Sequence, residues 1–241
     1  MNTALRLALV AAALAGATAA HAETIGFTKT TVGGVSLTAT TGTITGSNLC
    51  ASSGTCAQAI TYNTTAGGKL TVTAADGADF DTLAYVHQSN LNNAGLGVVT
   101  GYMKPTGFHI ADLNYSLSQP KETLTLSFQN TVSLSQLVFF PDDRLTLSLT
   151  KELDSFDGFT ISVDGKAAVE YSFGNNGGQP VTLSTPLVGK TFTFGYAVKK
   201  SSEDYYLAGI TVAAVPEAST WAMMGLGLVG IVAAARRRQR A

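Results

Sequence analysis

Charge is scarce in this sequence, and histidine scarcer. Of 241 residues, 15 are Lys or Arg, 16 are Asp or Glu and three are His. His21 falls inside an N-terminal leader. Neither His87 nor His109 stands in an H-E-x-x-H or similar ligand spacing, so surface or loop positions are expected for both. Gly95, Gly97 and Gly101 in "GLGVVTG" miss the G-x-G-x-x-G spacing and lack a strand-to-helix context, which argues against a nucleotide site. There is no G-x-S-x-G and no local sign of a catalytic triad. No amphipathic helical run of useful length occurs between residues 23 and 212, which argues against a helical body. Residues 23 to 214 hold ten Lys/Arg against fifteen Asp/Glu, a net of −5. An acidic body has no electrostatic footprint for nucleic acid, so that partner is discarded.

The N-terminus reads as a secretory signal peptide, residues 1 to 22. Arg6 opens it, "LALVAAALAGATAA" is its apolar run, and Ala20 and Ala22 occupy the small-residue positions of a signal-peptidase site before Glu23. Cysteine is limited to Cys50 and Cys56, in "NLCASSGTCAQ". Two thiols cannot fill a zinc site, and an exported chain meets an oxidising compartment, so a structural disulfide is expected. So short a loop gives about 2 kcal/mol in the chain-entropy model.

What the body does contain is strands. "TIGFTKTT", "GVSLTATT", "KLTVTA", "ETLTLSF", "RLTLSLT", "FTISV", "AVEYSF" and "TFTFGYAV" are short, rich in Thr, Val, Phe and Tyr, and mostly alternate apolar with polar. Glycine, Asn and Asp punctuate them, and Asp164-Gly165 predicts a two-residue hairpin turn. Alternation buries one face of each strand and wets the other, which points to an all-β, antiparallel β-sandwich, jelly-roll-like, over residues 23 to 214. The Thr-x-Thr rhythm of "LTATTGTITG" evokes a β-solenoid, but no fixed period runs through the chain. Residues 89 to 120 are the least strand-like stretch and read as a long irregular connection that could carry ligand contacts.

Acidic clusters are the candidates for chemistry. Asp76, Asp79 and Asp81 lie in "DGADFD", Asp142 and Asp143 in "PDD", and Asp154 and Asp157 in "DSFDGF". Calcium wants six to eight hard oxygens, and Asp76, Asp79 and Asp81 are the candidate ligands for it. None of the clusters has EF-hand spacing, and solvated turn aspartates are the commoner outcome. No other cofactor is implied. A carboxylate pair on the loops would be the requirement of a carbohydrate-active enzyme.

The last residues, 215 to 241, are of a different kind. "WAMMGLGLVGIVAAA" (221 to 235) is uncharged and covers about 22 Å as a helix. With "AST" before it and arginine stems snorkelling behind, it approaches the ~30 Å hydrocarbon core, so a single membrane helix is expected. Arg236, Arg237, Arg238 and Arg240 would stay cytoplasmic by the positive-inside rule, with the acidic body outside. Pro216 and Glu217 by themselves suit a helix start. The whole V-P-E-x-S-T-W-A-M-M, apolar helix and Arg cluster resembles the PEP-CTERM sorting domain of exported proteins in Gram-negative, exopolysaccharide-producing bacteria. The resemblance implies recognition by an exosortase that reads Pro216 and Glu217. The chain departs from the pattern at Ala218, where the second name-giving proline usually stands.

The body resembles the ectodomains of that family more loosely, through "GLGVVTG", "ETLTLSFQNTVSLSQLVFF", "FDGFTISVDG" and "DYYLAGITVAAVPE". In that layout Glu122 opens a strand with Leu124, Leu126 and Phe128 inward, and Val132, Leu134, Leu137 and Phe139 line the next. The expectation is an exported, non-enzymatic β-sandwich of the cell envelope or extracellular matrix that contacts polysaccharide or surface proteins. A carbohydrate-active enzyme and an ice-binding protein are the alternatives.

Overall fold

The computed structural model describes residues 21–32, 35–50, 54–76, 83–89, 95–104, 107–110, 117, 121–141, 158–173, 180–197 and 205–216, and residues 225, 227, 229, 230 and 236 of the tail. Along this chain run β1 (Ala22–Gly26), β2 (Thr30–Val32), β3 (Val35–Leu37), β4 (Thr43–Thr45), β5 (Gly54–Ala57), β6 (Ala59–Thr64), β7 (Gly68–Asp76) and β8 (Leu83–Ser89). They continue with β9 (Leu96–Lys104), β10 (Gly107–Ile110), β11 (Glu122–Pro141), β12 (Phe159–Val163), β13 (Val169–Tyr171), β14 (Val181–Tyr196) and β15 (Tyr205–Ala214). Thirteen of them join one antiparallel sheet, and β2 and β3 form a separate hairpin.

β11 organises the sheet. The sequence layout placed two strands here; the chain forms a single strand of 20 residues with a corner in it. Its first half alternates as expected, with Leu124, Leu126 and Phe128 buried. Gln129 and Asn130 are then exposed, and the ladder to β14 jumps from Ser127↔Thr191 to Val132↔Gly189. Surplus residues on one strand of a pair bend it. β14 follows β11 past this corner, but on the other edge β7 gives way to β15. The strands beyond β7 (β6 and β4) and those beyond β15 (β9, β8 and β5) thus become layers facing each other. Across the gap the Phe27 and Tyr62 rings lie 5.4 Å apart, and Tyr62 Oη donates to Gln88 Oε1 at 3.1 Å.

The main apolar core draws Leu70, Val72 and Leu126 from one side and Val98, Leu207 and Ile210 from the other, and two smaller clusters form around Val138 and around the disulfide. Full burial of each such side chain contributes about 2 kcal/mol. The Asp164-Gly165 turn forms as its sequence predicts: both residues have positive φ, 50° and 72°, and Lys166 N–H donates to Val163 O at 3.0 Å.

Within residues 89 to 120, read as an irregular connection, the described residues 95–104 and 107–110 are instead largely strand. β9 and β10 form an antiparallel hairpin there, β9 pairs with β8, and Leu117 bridges to Tyr205. The alternation was absent because Leu96, Val98, Val99 and Thr100 are all buried, which is the condition of a strand covered on both faces. The expected strand "RLTLSLT" lies outside the described residues, as does the expected signal peptide up to residue 20.

The bend in β11 gives the body two distinct ends. At the corner end lie the 65–67 turn, the Asp164-Gly165 turn, Lys190, and the outer ends of β1 and β15. At the far end lie Asp76, Glu122, Pro141, Phe159 and Tyr205.

Candidate functional site

The tail leaves the body at the corner end. β15 pairs with β11 on one edge, and on the other with β9 at Leu207 and then β1. Val215 N–H donates to Thr131 O at 3.2 Å. The next residue, Pro216, is exposed and has no N–H to extend the ladder. The fold therefore stops where the Pro-Glu pair begins. Glu217 lies outside the described residues, as do Arg237, Arg238 and Arg240. Gly225, Gly227, Val229, Gly230 and Arg236 are helical and exposed. Among the described residues no helix is long and apolar enough to cross a membrane.

The N-terminal end of β1 reaches the same place. Ala22 is paired with Ala213 on the outermost rung of β1 and β15. Glu23 then serves the fold: its Oε2 accepts the N–H groups of Thr65 and Ala66, each at 2.8 Å, and so pins the β6–β7 turn.

Of the acidic candidates, Asp76 is on β7, directly opposite Glu122 of β11. Asp79, Asp81, Asp142, Asp143, Asp154 and Asp157 lie outside the described residues. Glu122 continues the inward row of Leu124, Leu126 and Phe128, and it is 1 % exposed. Beside this pair is an aromatic cluster in which Phe139, Phe159, Phe173 and Tyr205 have ring centroids 4.6 to 5.8 Å apart. Tyr205 Oη donates to Gly195 O at 2.9 Å. Burial raises the Tyr205 phenol well above its ordinary pKa, and the Glu122 charge raises it further. Among the described residues no group of three or more His, Cys, Asp or Glu gathers for a metal.

Cys50 and Cys56 are disulfide-bonded, as expected. His87 is not the surface or loop residue expected. It sits on β8 opposite Cys56 of β5 and Gly97 of β9, only 2 % exposed, with its ring 6.3 Å from that of Tyr206. Flanking strands on both sides cover it, and a five-residue neighbourhood in sequence cannot reveal such cover. His109 lies on β10, in register with Tyr102.

Sequence reasoning missed one surface. The outward positions of β6, β7, β11, β14 and β12 align into rows. Thr61, Thr71, Ser127 and Thr191 form one row, and Ala59, Thr73, Thr125, Thr193 and Ser162 the next. Ala75, Thr123, Gly195 and Thr160 continue it toward the far end. No charged residue occupies these positions. The rows repeat about every 4.8 Å across strands and about 6.8 Å along them. Thr125 and Thr193 hydroxyls lie 3.0 Å apart, and the face is partly exposed. The signal was present as Thr-x-Thr or Thr-x-Ser in "LTVTA", "TLTLSF", "TFTFG" and "FTISV". Only the register shows that these segments share a face. Such a face offers fixed hydroxyl donors and acceptors, with the exposed Glu170 of β13 in register beyond Thr160.

Residues 214–238 match the PEP-CTERM protein-sorting motif. Comparison with curated proteins gives no match. A similar solved structure is the family 32 CBM from C. perfringens NanJ, in complex with galactose. It is 10% identical and aligns over 60% of this chain and 92% of that one, with a TM-score of 0.27.

Proposed function

We propose that this is an exported envelope protein, sorted through its C-terminal tail, whose body is a non-catalytic binding module. Residues 1 to 22 are the signal peptide, residues 23 to 214 a jelly-roll-like β-sandwich, and residues 215 to 241 the sorting tail. An exosortase reads Pro216 and Glu217 while the apolar helix holds the chain in the inner membrane of a Gram-negative cell. Arg236, Arg237, Arg238 and Arg240 remain on the cytoplasmic side. After processing, the body reaches the cell surface or matrix, where its uncharged hydroxyl face contacts neutral polysaccharide.

The observation that carries this reading is the sorting motif beginning where the fold ends, with Pro216 exposed one residue beyond the bond that secures Val215. A reading enzyme then finds Pro216 accessible. Of the carboxylates an enzyme would use, Asp76 stands opposite the buried Glu122, and Asp79, Asp81, Asp142, Asp143, Asp154 and Asp157 lie outside the described residues. The hydroxyl face does favour a second reading, binding to ice, whose surface is likewise neutral and regular.

Replacing Pro216 and Glu217 together with alanine tests the sorting claim. Helix-start propensities differ by about 1 kcal/mol, too little to eject an apolar segment, so membrane insertion should persist. Processing should stop, and full-length precursor should accumulate in the inner membrane. A blot of wild type and variant, with and without the host exosortase, reads the outcome. Full-length wild type in every lane would make the tail a plain anchor.

A further inference from the structure

The peptide bond at which the expected signal peptide ends is built into the sheet. Ala22 pairs with Ala213 and Glu23 with Val212, so the residues on either side of that bond stand on the first two rungs of β1 and β15. Further rungs follow through Thr24, Ile25 and Gly26, and Ile25 is 2% exposed. The Thr24 and Thr211 hydroxyls lie 3.0 Å apart, joining positions separated by 187 residues. Glu23 adds a second hold, because its Oε2 accepts the Thr65 and Ala66 N–H groups, each at 2.8 Å. Beyond Gly26 the chain stays fixed: Phe27 N–H donates to Ala208 O and Thr40 N–H to Gly26 O, both at 2.8 Å.

A peptidase that reads the side chains of Ala20 and Ala22 must lay the chain extended along its own groups on both sides of the bond. Hydrolysis adds water across Ala22–Glu23, leaving a carboxylate on Ala22 and an amino group on Glu23. β15 holds the backbone of residues 22 to 24, and the β6–β7 turn holds the Glu23 side chain. To be cut, the folded chain has to lift these rungs off β15 and give up both carboxylate bonds. Cleavage then follows the small population in which this end is open, a local opening that leaves the rest of the sheet intact. Asp164 provides an internal comparison. Its Oδ1 accepts the Lys190 and Thr191 N–H groups at 2.9 and 2.8 Å, an equivalent arrangement made on β14 instead of β1.

We propose that Glu23 is a latch. With β15 in place it seals the Ala22–Glu23 bond, so removal of the signal peptide has to precede closure of the sheet, and a body that closes first stays uncut. This rests on the signal-peptide reading given above. The test dilutes urea-unfolded full-length chain, disulfide intact, into detergent and adds a bacterial signal peptidase after increasing delays. The expected result is rapid cutting at zero delay and cutting about a hundredfold slower once the body has folded. Relative to its own zero-delay rate, folded Glu23→Ala should be cut about tenfold faster than folded wild type. Glu23→Gln, which keeps an acceptor, should change the rate by less than about threefold, and Asp164→Ala by no more. A cutting rate independent of delay, or Asp164→Ala cut as fast as Glu23→Ala, would overturn the latch. No cutting at any delay would instead overturn the signal-peptide reading on which it rests.

Discussion

Glu23 is a residue whose loss has a calculable consequence. One carboxylate oxygen accepts two N–H groups of the β6–β7 turn, each at 2.8 Å. In Glu23→Ala, the Thr65 N–H is exposed and can bond to water, at small cost. Ala66 is 7% exposed, so its N–H is partly cut off, and an unmet buried donor costs about 1–3 kcal/mol. Glu23 is itself part-exposed, so the ionic share is discounted for screening, leaving an expected loss of about 2 kcal/mol. For a body of this size that lowers Tm by about 4–8 °C. Glu23→Gln keeps an acceptor oxygen in place and should cost under about 1 kcal/mol. A body beginning at Thr24 should melt like Glu23→Ala. Thermal melts followed by circular dichroism, with urea titrations on the same proteins, measure all three. If Glu23→Ala stays within about 0.5 kcal/mol of wild type, or the Gln variant is as damaged as the Ala variant, the pinning role is refuted.

Tyr62 and Tyr205 make stability fall in alkali. Burial raises both phenols above the ordinary value of 10.0, so above about pH 10 the unfolded chain loses these protons and the folded chain keeps them. Stability is complete below that pH and declines above it by about 1.4 kcal/mol per unit for each tyrosine. Tyr62→Phe and Tyr205→Phe should each flatten the decline, and unchanged slopes in urea titrations between pH 9 and 11 would contradict it. On the hydroxyl face, Thr125→Lys alone should abolish retention on the host's neutral polysaccharide while lowering the melt only slightly. Thermal hysteresis in wild type, with no polysaccharide retention, would transfer that face to ice.

Strand identity was legible wherever one face is wet: β7, the first half of β11, β12 and the last part of β14 all alternate as read. It failed for β9, where burial on both faces erases the period, and for the long β11, whose corner at Gln129 and Asn130 looked like a break between two strands. The disulfide was legible because its loop is local. The burial of His87, the inward Asp76–Glu122 pair and the hydroxyl rows were not, because each depends on partners far away in sequence. Thr125 meets Thr193 across 68 residues. A chain of Thr-x-Thr segments says nothing of its register until the strands are paired.

β1 and β15 are neighbours, although they are the first and last strands among the described residues. β11, near the middle, also needs β15 along its second half. A chain that crosses a membrane amino-terminus first can assemble β6 and β7 early, but it must wait for β15 to close the core. Such long-range pairing is slow and leaves sheet edges open meanwhile. Because the tail follows β15 directly, in the sorting proposed above the strand that completes folding would emerge only as the tail arrives at the bilayer. Under that proposal, completion of the body and arrest of export would be nearly simultaneous, and a chain truncated before Tyr205 would have an open sheet and lack the sorting tail.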